Sequence, residues 1–223
     1  YKLLSRCVKL RKVTTPFCPE GSLPACQEDS TGVLAGQACA CLMKNLWLAR
    51  LARPDISKAI GLMSSNITKW SANDDRRLHR LICYLDSTKH YRLIGGIHDK
   101  PEDLRILLFV DADFAGDSNS TKSTSGGFLV IAGPNSWFPL AWISKYQTST
   151  SRSTTEAEVV SLAMSLFNEA VPTIDLWCML LGFQIPCVVL EDNQATIRII
   201  MKGFSPKLRH CSRTHKINLG SIG

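Results

Sequence analysis

From residue 37 to residue 85 the apolar positions recur every three or four residues, the period of an α-helix. Leu42, Met43, Leu46 and Trp47 line one face of a helix expected over 37–53. Arg53-Pro54 breaks it, because proline excludes the helical conformation from the residue before it. Pro54 suits the first turn of a second helix, where a missing N–H costs nothing, and Ile56, Ile60, Met63 and Ile67 follow at helical spacing. A third helix is expected from Asn73-Asp74, which are good N-cap residues, with Leu78, Leu81, Ile82 and Leu85 on its buried face. The segment 1–31, with its basic Lys9-Leu10-Arg11-Lys12 and the proline- and cysteine-containing stretch that starts at Pro16, reads as extended or loop structure.

From Leu104 the period changes. Residues 106–110 form a short apolar run typical of a central strand, and 126–132 and 138–144 form two more, separated by polar turns. Three strands joined by short connections predict an antiparallel meander. Ser153 followed three residues later by Glu156 is a capping box, and Val159, Leu162, Ala163 and Leu166 then fall at core spacing. Pro172 is expected to end or kink that helix, with a further helical stretch running to Gly182. Residues 187–190 read as a fourth strand, ending in Glu191-Asp192-Asn193. A last helix carries Ile197, Ile200 and Met201 and stops at Gly203. The predicted fold class is α/β: a mixed sheet, an antiparallel meander plus one parallel strand, with flanking helices and a small helical region before it. The expected division is 1–100 and 104–223.

A hydrophobic content of 45% with 20% charged residues describes a globular chain of 223 residues. The net charge of +7 favours a polyanionic partner such as nucleic acid. There are nine cysteines and no Cys-x-x-Cys, so a zinc site built on paired cysteines is not expected. Free thiols, the lack of a signal-peptide pattern and the lack of a long apolar run predict an intracellular protein, cytoplasmic or nuclear, not secreted and without a membrane partner. The chain starts without Met and reads as a piece of something longer.

Three carboxylates stand where such a topology would bring them together. Asp111 closes the first strand, Glu158 lies in the first two turns of the following helix, and Asp192 closes the fourth strand. Strand ends and adjacent helix starts converge on one edge of an α/β sheet. Converging carboxylates repel unless a cation lies between them, and hard oxygen ligands suit Mg²⁺ or Mn²⁺. Each residue alone also has a structural explanation: a strand-end turn former, a solvated helix residue and an N-cap. Asp74-Asp75 sits at a helix start beside Arg76-Arg77, not in a hairpin between apolar runs, and reads as helix capping rather than as a polymerase centre.

Five ordered motifs carry a resemblance. They are Val110-Asp111-Ala112-Asp113-Phe114-Ala115-Gly116-Asp117, Ser123-Thr124-Ser125-Gly126-Gly127, Trp142-Ile143-Ser144-Lys145, Ser153-Thr154-Thr155-Glu156-Ala157-Glu158 and Glu191-Asp192-Asn193-Gln194. Over roughly 104–219 the chain resembles the ribonuclease H domain of copia-type retrotransposon polyproteins. Leu51-Ala52-Arg53-Pro54-Asp55-Ile56 and Tyr84-Leu85-Asp86-Ser87-Thr88-Lys89 resemble the family's segment between the reverse transcriptase palm and ribonuclease H. The resemblance implies a ribonuclease H-like fold and Mg²⁺-dependent, two-metal cleavage of the RNA strand in RNA–DNA hybrids. Position by position it assigns catalysis and metal binding to Asp111, Glu158 and Asp192, leaving Asp113 and Asp117 to structure the loop. Lys145, Arg152, Arg209, Arg213 and Lys216 are the expected phosphate contacts, and the remainder of the Pol polyprotein, including reverse transcriptase, is an expected partner.

Two departures qualify it. The family often has Lys-His-Ile-Asp where this chain reads His215-Lys216-Ile217-Asn218, so that acidic position is absent. The family's fourth carboxylate lies on a later segment, after a fifth strand, so the resemblance implies an incomplete metal site here. The alternative reading is a catalytically incomplete transposon remnant that at most binds nucleic acid.

Overall fold

The computed structural model describes residues 10–18, 22–23, 31–116 and 121–223; Lys9, part of the proline-rich stretch and Asp117 lie outside them. The chain divides into a unit up to Leu93 and a unit from Ile94.

The first unit packs helices α1 (Ala35–Leu51), α2 (Ser57–Ser65) and α3 (Ala72–Ser87) around Leu42, Ile60, Met63, Leu78 and Leu81. The buried stripe of α1 is Ala38, Leu42, Asn45 and Ala49; of the expected face Leu42 is buried and Leu46 packs against the core, while Met43 and Trp47 are exposed, Trp47 to 71%. Two alanines on the stripe let the helix approach closely, which turns the larger apolar residues outward. Pro54 opens a single 3₁₀ turn before α2, as expected. The N-cap of α3 is Ser71 rather than Asn73, with Asp74 completing a capping box. Asp75 accepts hydrogen bonds from the backbone of Val33 and Leu34 and from the Trp70 indole. Both aspartates are therefore engaged in structural hydrogen bonds. The two motifs of this unit meet: Arg53 pairs with Asp55 at 2.7 Å and donates to the Thr88 carbonyl and hydroxyl, while the Tyr84 hydroxyl donates to Asp55.

The second unit is built on strands β1 (Arg105–Asp113), β2 (Thr124–Gly133), β3 (Ser136–Tyr146) and β4 (Cys187–Leu190), in the order β3-β2-β1-β4. β1–β2 and β2–β3 are antiparallel, and β1–β4 is parallel. This is the expected α/β mixed sheet with flanking helices, consistent with a ribonuclease H-like fold. Helix α4 (Thr154–Ser165) crosses β1 and β2, burying Leu162 against Ile106, Leu108, Leu129 and Ile131. Gly127 is required there, because a Cβ would collide with the Ser165 hydroxyl.

Pro172 does not end the helix. A π-turn at Leu166–Ala170 links α4 to α5 (Val171–Leu181), and Pro172 falls in the first turn of α5, where its missing N–H is tolerated. The resulting helix, Thr154–Leu181, has 28 residues and by length and composition alone is apolar enough to cross a membrane, contrary to expectation. Its first half is the buried core helix of the sheet. Helix α6 (Gln194–Lys202) follows β4, and the single turn α7 (Cys211–Thr214) follows α6.

Leu108 is 1% exposed at the centre of this core. Leu108→Ala should cost about 2–5 kcal/mol in urea unfolding of the full chain. A loss well under that range would place the core elsewhere.

Candidate metal centre

Parallel pairing sets the site. Phe109 of β1 is in register with Leu190 of β4. Two residues onward along each chain stand Asp111 and Asp192, so both carboxylates reach the same edge. Helix α4 supplies the third, Glu158. The Ser161 hydroxyl, nearly one turn on, sits 2.7 Å from the Asp111 carbonyl oxygen and 3.1 Å from that of Gly126, and fixes the helix to both strands. One oxygen from each of Asp111, Glu158 and Asp192 lies within 4.8 Å of the others, with Glu158 buried and the two aspartates exposed.

This arrangement is electrostatically costly. Burial, then the charges of Glu191, Asp111 and Asp192, push the Glu158 carboxyl up to about 7, against a backbone hydrogen bond from Ala112. Glu158 Oε2 is enclosed without a hydrogen-bond partner. Glu191 belongs to the same cluster and was not singled out from the sequence, because Asp192 beside it matched the motif. Burial and the charges of Asp192 and Asp111 raise Glu191, although the Asn193 N–H donates to its Oε1 at 3.1 Å. Glu191 Oε2 is likewise enclosed and unpartnered. An all-oxygen donor set with unsatisfied buried oxygens fits a hard divalent cation.

The other sequence-derived positions fall as follows. The Asp113 side chain lies against Gly116, at the turn after β1. Glu156 completes only half of the expected capping box. Its N–H donates to Ser153 Oγ, but its carboxylate accepts from the Arg152 N–H at 2.9 Å and contacts His210 and His215 Nε2 at 2.9 and 3.0 Å. Burial alone would raise Glu156; the Arg152 N–H and the two imidazoles outweigh it and hold the carboxyl below its ordinary range. Burial and the Glu156 charge push the nearby Cys211 thiol up to about 11. Lys145, Arg152, Arg209, Arg213 and Lys216 are all exposed. Arg209 stacks on Phe204, and with Ser212 and Lys216 they line a concavity of about 430 Å³. Asn218, where the family often has an acid, caps the last turn by accepting from the Gly220 N–H.

The raised Glu158 has a sign. Between 4.5, its ordinary value, and about 7 the folded metal-free protein holds a proton that the unfolded chain has released. That contribution is present below 4.5 and is lost as pH rises through about 7. Glu158→Gln, which mimics the neutral form, should therefore gain stability relative to the metal-free native chain as pH rises from 4.5 to 7. Urea unfolding of both proteins across that interval measures the difference; a constant difference would mean Glu158 titrates normally.

The chain is 30% identical over 156 residues to the "Retrovirus-related Pol polyprotein from transposon RE1" of Arabidopsis thaliana, 70% of this chain and 10% of that protein. It is 32% identical over 172 residues to the "Retrovirus-related Pol polyprotein from transposon RE2" of the same plant, 76% of this chain and 11% of that one. It is also 30% identical over 118 residues to the "Secreted RxLR effector protein 161" of Plasmopara viticola, 53% of this chain and 78% of that protein. The chain thus spans about a tenth of the length of the two polyproteins. No family model matches it, and no solved structure is a significant match. On these relationships the chain is similar to a part of the retrovirus-related Pol polyproteins of plant transposons.

Proposed function

We propose that the unit from Ile94 is the ribonuclease H segment of such a polyprotein and cleaves the RNA strand of RNA–DNA hybrids with Mg²⁺, or Mn²⁺ in its place. The observation that carries this reading is the convergence of Asp111, Glu158 and Asp192 from three separate elements onto one sheet edge, with a buried Glu158 oxygen left unpaired. Repulsion of that kind is maintained where a cation is to be held.

In this reading the three carboxylates hold the cations, and Glu191 adds negative charge beside them. Bound there, two divalent ions supply Lewis acidity that activates a water and stabilises the leaving oxygen of the phosphodiester. The chain's own part is placement. Ser161 keeps α4 against the Asp111 and Gly126 carbonyls, so Glu158 cannot drift from Asp111. Lys145 and Arg152 precede α4 in sequence, and Arg209, Arg213 and Lys216 lie on the C-terminal segment; their exposed charges neutralise phosphates of the hybrid. Selection of RNA rests on 2′-hydroxyls displayed in a wide, shallow minor groove. The unit up to Leu93 is read as the connection to reverse transcriptase, whose remaining segments are the natural partners.

Hydrolysis of an end-labelled RNA–DNA hybrid in Mg²⁺ is the direct test. Asp111→Asn should lower the rate by roughly 10²-fold or more. Equal cleavage by both proteins would remove Asp111 from the site. Absence of cleavage by the native chain, with salt-sensitive hybrid binding retained, would favour the remnant reading.

Binding can be measured separately, in EDTA. Arg213→Ala should weaken hybrid binding uniformly across sequences and reduce the slope of log K against log salt by about 1. An unchanged slope would take Arg213 off the interface.

A further inference from the structure

A second donor cluster lies where the C-terminal segment meets the start of α4. Glu156, His210 and Cys211 each bring one ligand atom, and these atoms lie within 4.8 Å of one another. His215 Nε2 approaches the same Glu156 oxygen as His210 Nε2, at 3.0 and 2.9 Å. Glu156 is 1% and Cys211 0% exposed, and the His215 side chain is 2% exposed; only His210, at 22%, reaches solvent. The backbone places three of these donors around one turn: His210 is the N-cap of α7, Cys211 its first residue, and the His215 N–H closes the turn on the Cys211 carbonyl at 2.9 Å.

We propose that Glu156, His210, Cys211 and His215 form a structural zinc site, separate from the carboxylate centre. The donor chemistry separates the two. Asp111, Glu158 and Asp192 offer only hard oxygens, whereas two imidazoles, a thiol and one carboxylate form a mixed nitrogen, sulfur and oxygen set that suits Zn²⁺ and disfavours Mg²⁺. The spacing His210-x₄-His215 lies in the range used by zinc-binding histidine pairs. Three of the donors lie within 4.8 Å of one another; His215, on the same Glu156 oxygen, would close in as the fourth and leave no open position, which makes the site structural rather than catalytic. Uptake of the ion releases the Cys211 proton, and the imidazoles turn lone pairs toward the ion instead of donating to Glu156. The ion would cross-link residues 210–215 to α4 two residues before Glu158. The segment that carries Arg209, Arg213 and Lys216 would then be tied to the carboxylate centre. Nothing in this proposal depends on the nuclease activity.

The test is a metal titration of the full 223-residue chain after chelator treatment. The tetrahedral visible bands and the thiolate-to-cobalt charge-transfer band should saturate at one equivalent of Co²⁺, apart from any Co²⁺ taken up by the carboxylate centre, which gives neither. Zn²⁺ should displace the Co²⁺ that gives these bands and Mg²⁺ should not. Cys211→Ser should abolish the charge-transfer band. His210→Ala, at the half-buried position that the fold tolerates best, should weaken Zn²⁺ binding by roughly 10-fold or more. Asp111→Asn should change neither result. A cobalt spectrum without the charge-transfer band, or Zn²⁺ affinity unchanged in His210→Ala, would overturn the proposal and leave the cluster as a hydrogen-bonded network.

Discussion

Mutual repulsion among carboxylates is the constraint around which the second unit is arranged. Water would disperse such charges, and burial makes their repulsion stronger. The fold nonetheless brings Asp111, Glu158 and Asp192 within 4.8 Å of each other and sets Glu191 beside them. Core packing and backbone pairing must supply the free energy that holds them there. The core residues Ile106, Leu108, Leu129, Ile131 and Leu162 lie directly behind that edge. The electrostatic strain is visible in Glu158, which retains its proton to about pH 7 when no cation is present.

The placement follows from few elements. A parallel β1–β4 pair puts the ends of both strands on one edge, and the register Phe109↔Leu190 fixes Asp111 opposite Asp192 to the residue. A one-residue slip would move one carboxylate to the other face of the sheet. Helix α4 is keyed to the strands by Ser161 and by the absence of a side chain at Gly127. The motif around Gly126-Gly127, which has no chemistry of its own, therefore belongs to the site through packing.

Much of this was legible in the sequence, for a physical reason in each case. The four strands stood out because alternating and short apolar runs bounded by turn residues have few other uses. The three carboxylates stood out because Asp111 and Asp192 follow short apolar runs and Glu158 lies in the first two turns of the helix between them. Three features did not show. The α1 face was misjudged because Trp47 and Met43 outweigh Ala38 and Ala49 in hydrophobicity, while close packing favoured the alanines. Pro172 looked like a possible helix end because a π-turn, which lets the helix run on through it, leaves no mark on apolar spacing. Glu191 was passed over because adjacent acids in a strand-end motif cannot be ranked without knowing which of them the sheet encloses.

Glu156 and Glu158 show how far the environment, rather than residue type, decides. They are two residues apart in the first turns of one helix, so they project about 200° apart around its axis. Glu156 turns toward an N–H and two imidazoles, has every lone pair it needs in use, and stays ionised. Glu158 turns toward three other carboxylates, keeps one oxygen unpaired, and holds a proton near neutrality. One glutamate is thus fitted to fasten the C-terminal segment to the helix. The other is left in need of a positive charge, and the short Ala157 between them is buried so that both can be held at once.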